Sequence, residues 1–248
     1  MKGSFFGKMP GDNPQKFAGV RAFYTYMMTH PGKKLTFMGA ELGQWNEWHF
    51  EYSLDWHLLQ YTPHRQTQDF VKAINAFYLE NAPLWDQDDS WQGFQWLCAD
   101  DNNANTVAFL RWDRKGTPLI VLCNFSPEHR KGYRVGAPFA GSWAAAFNTD
   151  DASFGGEDRG DKAPIKTEKI PCHDQQQSFA VDLPPMSAVI YRCVRKSPVR
   201  KAAPDKGEAS SKAEKKPAAK AASKAEKKAA PGKNAAKKQA GRTKKGKK

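Results

Sequence analysis

The sequence predicts an α/β segment, then an all-β antiparallel sandwich, then a disordered basic tail. Three observations carry that prediction. Before residue 90, apolar residues at helical spacing flank one short apolar run. Residues 90–196 hold seven short β-rich segments with no helical pattern between them. Residues 197–248 contain no aromatic residue and no Leu, Ile or Met.

In the first segment, Phe17, Val20, Tyr24, Met27 and Met28 recur at helical spacing, and His30-Pro31-Gly32 closes the helix with residues that cannot continue it. The run Leu35-Thr36-Phe37-Met38, ended by Gly39, reads as a buried strand of the kind found in parallel sheets. A polar and aromatic loop follows from Ala40 to about Leu59. A second helix is expected over Thr67–Asn81, with Phe70, Ile74, Phe77 and Tyr78 on one face before Pro83. Helix, strand, loop and helix make one turn of an α/β fold.

The seven β-rich segments are Phe94–Trp96, Thr106–Trp112, Pro118–Asn124, Gly132–Val135, Ser142–Phe147, Ser178–Leu183 and Ala188–Cys193, separated by turn clusters such as Asp100–Asn103 and Asp113–Gly116. Short strands in succession, without helices to cross between them, argue for antiparallel pairing in a sandwich.

Charge is divided as sharply as pattern. The 248 residues carry a formal net charge of +13, but 18 of the 39 Lys and Arg and only 4 of the 26 Asp and Glu fall in 197–248. That leaves 21 basic against 22 acidic residues in 1–196, so the body is near −1 and the tail near +14. The tail repeats Ser-Lys-Ala-Glu-Lys-Lys at Ser211 and at Ser223, and Pro204, Pro217 and Pro231 break any helix there. With so little apolar surface it cannot offset roughly 1–2 kcal/mol per residue of backbone ordering, and disorder is expected.

Several function classes are excluded on this basis. All eight Trp lie in the nearly neutral body, not among the lysines, which disfavours a folded nucleic-acid-binding surface. Apolar runs such as Pro118–Cys123 fall far short of the roughly 20 residues that span a bilayer, and the first residues lack the apolar core of a signal peptide. Cys98, Cys123, Cys172 and Cys193 show no metal-ligand spacing, so no metal and no cofactor is expected, and reduced thiols indicate a cytoplasmic setting.

The densest chemistry lies in the 40–59 loop, where Glu41, Gln44, Trp45, Asn46, Glu47, Trp48, His49, Glu51, Asp55, Trp56 and His57 crowd together. In α/β folds ligands bind beyond the carboxyl ends of strands. Indole faces beside carboxylates and amides suit a sugar, whose ring face stacks while its hydroxyls take directional hydrogen bonds. The same aromatics would also serve to fix a long loop onto its scaffold. A glycosidase pair among Glu41, Glu47, Glu51 and Asp55 would need two facing carboxyl groups, and structural carboxylates are the simpler reading.

A resemblance then becomes legible. Gly3-Ser4, Gly7-Lys8-Met9-Pro10-Gly11-Asp12, His30-Pro31-Gly32-Lys33-Lys34-Leu35, Phe37-Met38-Gly39, Glu41, Gly43-Gln44-Trp45, Glu47-Trp48 and Ser53-Leu54-Asp55-Trp56-His57-Leu58-Leu59 closely resemble bacterial 1,4-alpha-glucan (glycogen) branching enzyme of the alpha-amylase clan. Cys123-Asn124-Phe125-Ser126-Pro127, Gly132-Tyr133-Arg134-Val135-Gly136, Asn148-Thr149-Asp150, Phe154-Gly155-Gly156 and Leu183-Pro184-Pro185 resemble the same family's C-terminal domain. The resemblance covers about residues 2–196, and the tail has no counterpart in it.

The resemblance implies that residues 1–89 are the last part of a (β/α)8 catalytic barrel, with Lys34–Met38 as the eighth strand, and that residues 90–196 are the C-terminal β-sandwich. It implies glucan contacts from Glu41, Gln44, Trp45, Trp48, Asp55 and Trp56. None of the family's three catalytic carboxylates finds a matching position, so no catalytic residue is assigned and the chain is expected to be inactive by itself. A barrel strand without its sheet would leave backbone edges and apolar helix faces open, and the first segment is expected to be unstable alone. The implied partners are alpha-glucan (glycogen) and the N-terminal part of the enzyme. The other readings are a noncatalytic glucan-binding module and weak, nonspecific polyanion binding by the tail, against a tail that is merely solvated.

Overall fold

A computed structural model describes residues 3–196, so the tail expectation for 197–248 lies outside the described residues. Helix α1 spans Asn13–Thr29. Its start is fixed by Asp12, whose carboxylate accepts from the Gln15 N–H while the Gln15 side chain accepts from the Asp12 N–H, a reciprocal capping box. Helix α2 spans Thr62–Glu80, beginning five residues before the expected start. Pro63 sits in its first turn, where the missing N–H has no intrahelical partner to lose.

The strand expected at Leu35–Met38 does not form. Residues 33–37 carry no regular secondary structure, and Leu35 is 79% exposed, with Phe37 and Met38 also exposed. A parallel strand draws its stability from pairing along its edges, and among the described residues no strand pairs with this segment. Two 3₁₀ turns, Ala40–Leu42 and Trp56–Gln60, shape the loop that follows.

Eight strands make up the rest: β1 Phe94–Asp101, β2 Thr106–Trp112, β3 Pro118–Asn124, β4 Arg130–Ala137, β5 Gly141–Asn148, β6 Ile165–Lys166, β7 Gln177–Leu183 and β8 Ser187–Lys196. All seven expected segments are strands; the additional one, β6, has only two residues and too little pattern to be read from sequence. Antiparallel pairing orders them β1-β2-β3-β8-β5-β6 in one sheet and β4-β7 in a second.

Alternation sorts the large sheet's side chains between two cores. Phe109, Leu119, Val121, Cys123, Ala188 and Ile190 point to one face, where they meet Phe17, Val20, Tyr24 and Met28 of α1 and Phe70, Ile74 and Phe77 of α2. Ala108, Leu110, Ile120, Leu122, Val189 and Tyr191 point to the other, against Val135 and Ala137 of β4 and Phe179, Val181 and Leu183 of β7. Strand β3 is therefore buried along its whole length, which accounts for its unbroken apolar run. The apolar faces of α1 and α2 are covered by the sheet, contrary to the expectation of open helix faces. Helices and sheet share one core.

Candidate functional site

The loop after α1 is held by its own polar groups. Gly39 and Gly43 flank the Ala40–Leu42 turn with φ of 79° and 62°. A Cβ at Gly39 would lie 2.6 Å from Gln44 Oε1, so only glycine lets that amide lie across the turn. Gln44 is buried; its Oε1 accepts from the Asp55 N–H at 3.0 Å and its Nε2 donates to the Asn46 carbonyl at 3.1 Å. Asn46 Nδ2 in turn donates to Asp55 Oδ2 at 3.0 Å. Gln44 and Asp55 are thus brought together, and both are engaged in closing the loop.

The tryptophans diverge. Trp45 meets the Phe6 ring edge-on at 4.5 Å and walls a cleft of about 460 Å³ together with Phe17, Tyr61, His64 and Phe154. Trp48 meets Phe37 edge-on at 5.4 Å and borders a separate hollow of about 60 Å³ with Phe6, Met38 and Gln44. Trp56 opens its 3₁₀ turn, exposed, and lines neither hollow. Glu41 also lines neither; it stands near Tyr24, whose hydroxyl is pushed up mainly by burial and secondarily by the Glu41 charge. Neither of the two hollows holds all six expected residues.

The larger cleft depends on residues the sequence reading missed. His64 is buried and its Nδ1 lies 2.7 Å from the Leu42 carbonyl, which can only accept, so Nδ1 carries a proton and donates there. Arg21 lines the same cleft from α1, only 4% exposed, and its Nε donates to the Thr149 carbonyl at 2.9 Å. Burial pulls the Arg21 guanidinium down to about 10, against an opposing pull from Asp150. A signal for it exists: Arg21 lies four residues after Phe17 and three before Tyr24, on the apolar face of α1, where a charge without a role is costly.

Chemically, the cleft can bind but has no acid–base pair. Its lining contains no Asp or Glu, whereas glycosidic transfer needs two facing carboxyl groups. Elsewhere in the loop, Glu51 lies 3.9 Å from His49 at the surface. Among the described residues no cluster of His, Cys, Asp and Glu could hold a metal ion, and no helix is long and apolar enough to cross a membrane. All four cysteines are free thiols.

With this geometry in hand, residues 96–194 match the family model for the alpha amylase C-terminal all-beta domain. Over 191 residues the chain is 47% identical to the 1,4-alpha-glucan branching enzyme of Pseudomonas fluorescens strain Pf0-1, covering 77% of this chain and 26% of that protein. It resembles the C-terminal portion of bacterial 1,4-alpha-glucan branching enzymes. The corresponding enzyme of Aquifex aeolicus strain VF5 is also 47% identical over 191 residues, covering 77% of this chain and 30% of that protein. The chain therefore spans between a quarter and a third of these relatives. A crystal structure of AmyP in complex with maltotriose is 10% identical, covers 77% of this chain and 37% of that one, and has a TM-score of 0.48, a likeness that carries no argument about the site.

Proposed function

We propose that this chain serves as the C-terminal part of a 1,4-alpha-glucan branching enzyme, which cleaves α-1,4 links and forms α-1,6 links by retaining transglycosylation in glycogen biosynthesis. The observation that carries the reading is the 47% identity over 191 residues to proteins of that name. In this reading residues 1–89 complete a (β/α)8 barrel and residues 90–196 are its C-terminal sandwich. Residues 33–37, mostly exposed and without strand neighbours, are the edge at which the preceding barrel would join. The chain acts in the cytoplasm, on alpha-glucan, and is inactive until the catalytic carboxylates are supplied by the N-terminal part.

Within that reading, Trp45, Trp48 and Trp56 with Glu41, Gln44 and Asp55 form the glucan-facing rim. The indoles of Trp45, Trp48 and Trp56 are all exposed and supply ring faces, while Gln44 and Asp55 set the loop that presents them. The test is affinity electrophoresis of the full chain in native gels with and without glycogen. Retardation that grows with glycogen concentration is expected; unchanged mobility would overturn glucan binding by this part of the enzyme. A noncatalytic glucan-binding module is the second reading, favoured by the carboxylate-free cleft. Retardation combined with failure of complementation by the preceding barrel would select it.

A further inference from the structure

The cleft of about 460 Å³ takes its walls from both parts of the chain. Trp45 comes from the loop and Tyr61 from the start of α2, while Phe154 belongs to the sandwich. The turn Ala152–Phe154 is pressed onto α2: Phe154 meets Phe70 edge-on at 5.6 Å and stacks on Phe147 at 5.8 Å. At Gly155, where φ is 82°, a Cβ would lie 2.7 Å from Gln66 Oε1, so only glycine lets this turn lie against the Gln66 amide. Phe154 is thus fixed in the wall by packing on its far side.

The lining suits a short neutral sugar. Trp45 and Tyr61 are 41% and 59% exposed, so apolar ring surface stands open to water at the cleft, and covering it with the apolar face of a sugar is favourable. Asn13 and Gln66 bring amides, which both donate to and accept from hydroxyl groups. The lining contains no Asp or Glu, and the Arg21 guanidinium donates to the Thr149 carbonyl and feels the opposite charge of Asp150. A neutral ligand therefore enters without an ion to neutralise. The volume lies in the lower part of the roughly 300–1,000 Å³ of small-molecule sites, room for a short oligosaccharide and not for a long chain.

We propose that this cleft is a site of its own for the end of an α-1,4-glucan chain, apart from Trp48 and Trp56, with Trp45 and Tyr61 against the sugar rings, Asn13 and Gln66 on the hydroxyls and Phe154 as the sandwich's contribution. The neutrality and size of the ligand rest on the cleft; the choice of an α-1,4-glucan rests on the branching-enzyme reading. Isothermal titration of the full chain with maltotriose and maltoheptaose tests it. Maltotriose is expected to bind, and maltoheptaose no more than about threefold more tightly, because the cleft takes in only a short stretch. Tyr61→Ala and Gln66→Ala are each expected to weaken maltotriose by roughly fivefold. Tyr61 is exposed and Gln66 half-buried, so both variants keep the core, and their urea midpoints are expected to match the parent. Unchanged maltotriose affinity in both variants, or a larger gain for maltoheptaose, would overturn the proposal. Retardation by glycogen without any binding of maltotriose would overturn the cleft site and leave glucan binding by the rim standing, whereas loss of both would overturn the glucan reading itself.

Discussion

Arg111 and Asp88 form an ion pair, Nη2 to Oδ1 at 2.8 Å, that ties strand β2 to the segment after α2. The guanidinium is fully buried and also donates to the carbonyls of Leu84 and Gly93, both at 3.1 Å, and of Thr29. One side chain thereby satisfies the end of α1 and two turns at once. Burial draws its pKa down, opposed by the hydrogen bond and charge of Asp88. Arg111→Met leaves three carbonyls and a carboxylate without their donor and is expected to cost about 3–5 kcal/mol in urea unfolding. Asp88→Asn keeps an acceptor oxygen and is expected to cost less. A loss below about 1 kcal/mol for Arg111→Met would contradict this role.

Asp150 gives a pH dependence. Burial alone would raise its carboxyl, but the Arg159 side chain and the N–H groups of Arg159 and Glu157 hold it below its ordinary 3.8. A carboxyl depressed in the folded state stabilises above its unfolded pKa, and the contribution is lost as pH falls through the lower folded value. Asp150→Asn is therefore expected to be less stable than the parent at neutral pH by about 1.5–3 kcal/mol, with the gap closing below pH 3.8. Unfolding curves at stepped pH check it, and a gap that persists unchanged into acid would refute the assignment.

The shared core of helices and sheet sets a contrast within α2. Phe70 is fully buried, 5.6 Å from Phe154 and 6.1 Å from Phe147, whereas Leu79 is largely exposed. Phe70→Ala is expected to destabilise by about 3–5 kcal/mol. Leu79→Ala is expected to stay within about 0.5 kcal/mol of the parent. Near-neutral effects at both positions would mean that α2 is not part of the core.

The separation of Trp45 and Trp48 into two hollows predicts independent effects on glucan binding. In glycogen-containing gels, Trp48→Ala and Trp45→Ala are each expected to reduce retardation partially, and the double variant to lose the product of the two. Complete loss from either single change would show one contiguous binding surface instead.

Much of the fold is legible in the sequence because it depends on local pattern. The face bearing Phe17, Val20, Tyr24 and Met28 reads as α1, and the run Pro118–Asn124 reads as a strand, although its burial on both faces emerges only from the packing. Leu35–Met38 misleads because its composition is that of a buried strand, whereas strand formation depends on neighbours it does not have. The site is less legible. Gln44 and Asp55 have the chemistry of ligand contacts but are engaged with each other, and the larger cleft draws on residues from Asn13 to Gly155 that only tertiary packing brings together.

Whether this chain works as the C-terminal part of a branching enzyme is decided by counting new α-1,6 links in amylose by proton NMR. The purified chain is incubated alone, and together with a polypeptide carrying the preceding barrel strands of a branching enzyme. No new α-1,6 links are expected from the chain alone, and their appearance is expected when the two are combined. Branching by the chain alone, or none from the combined polypeptides under conditions where an intact branching enzyme is active, would contradict it.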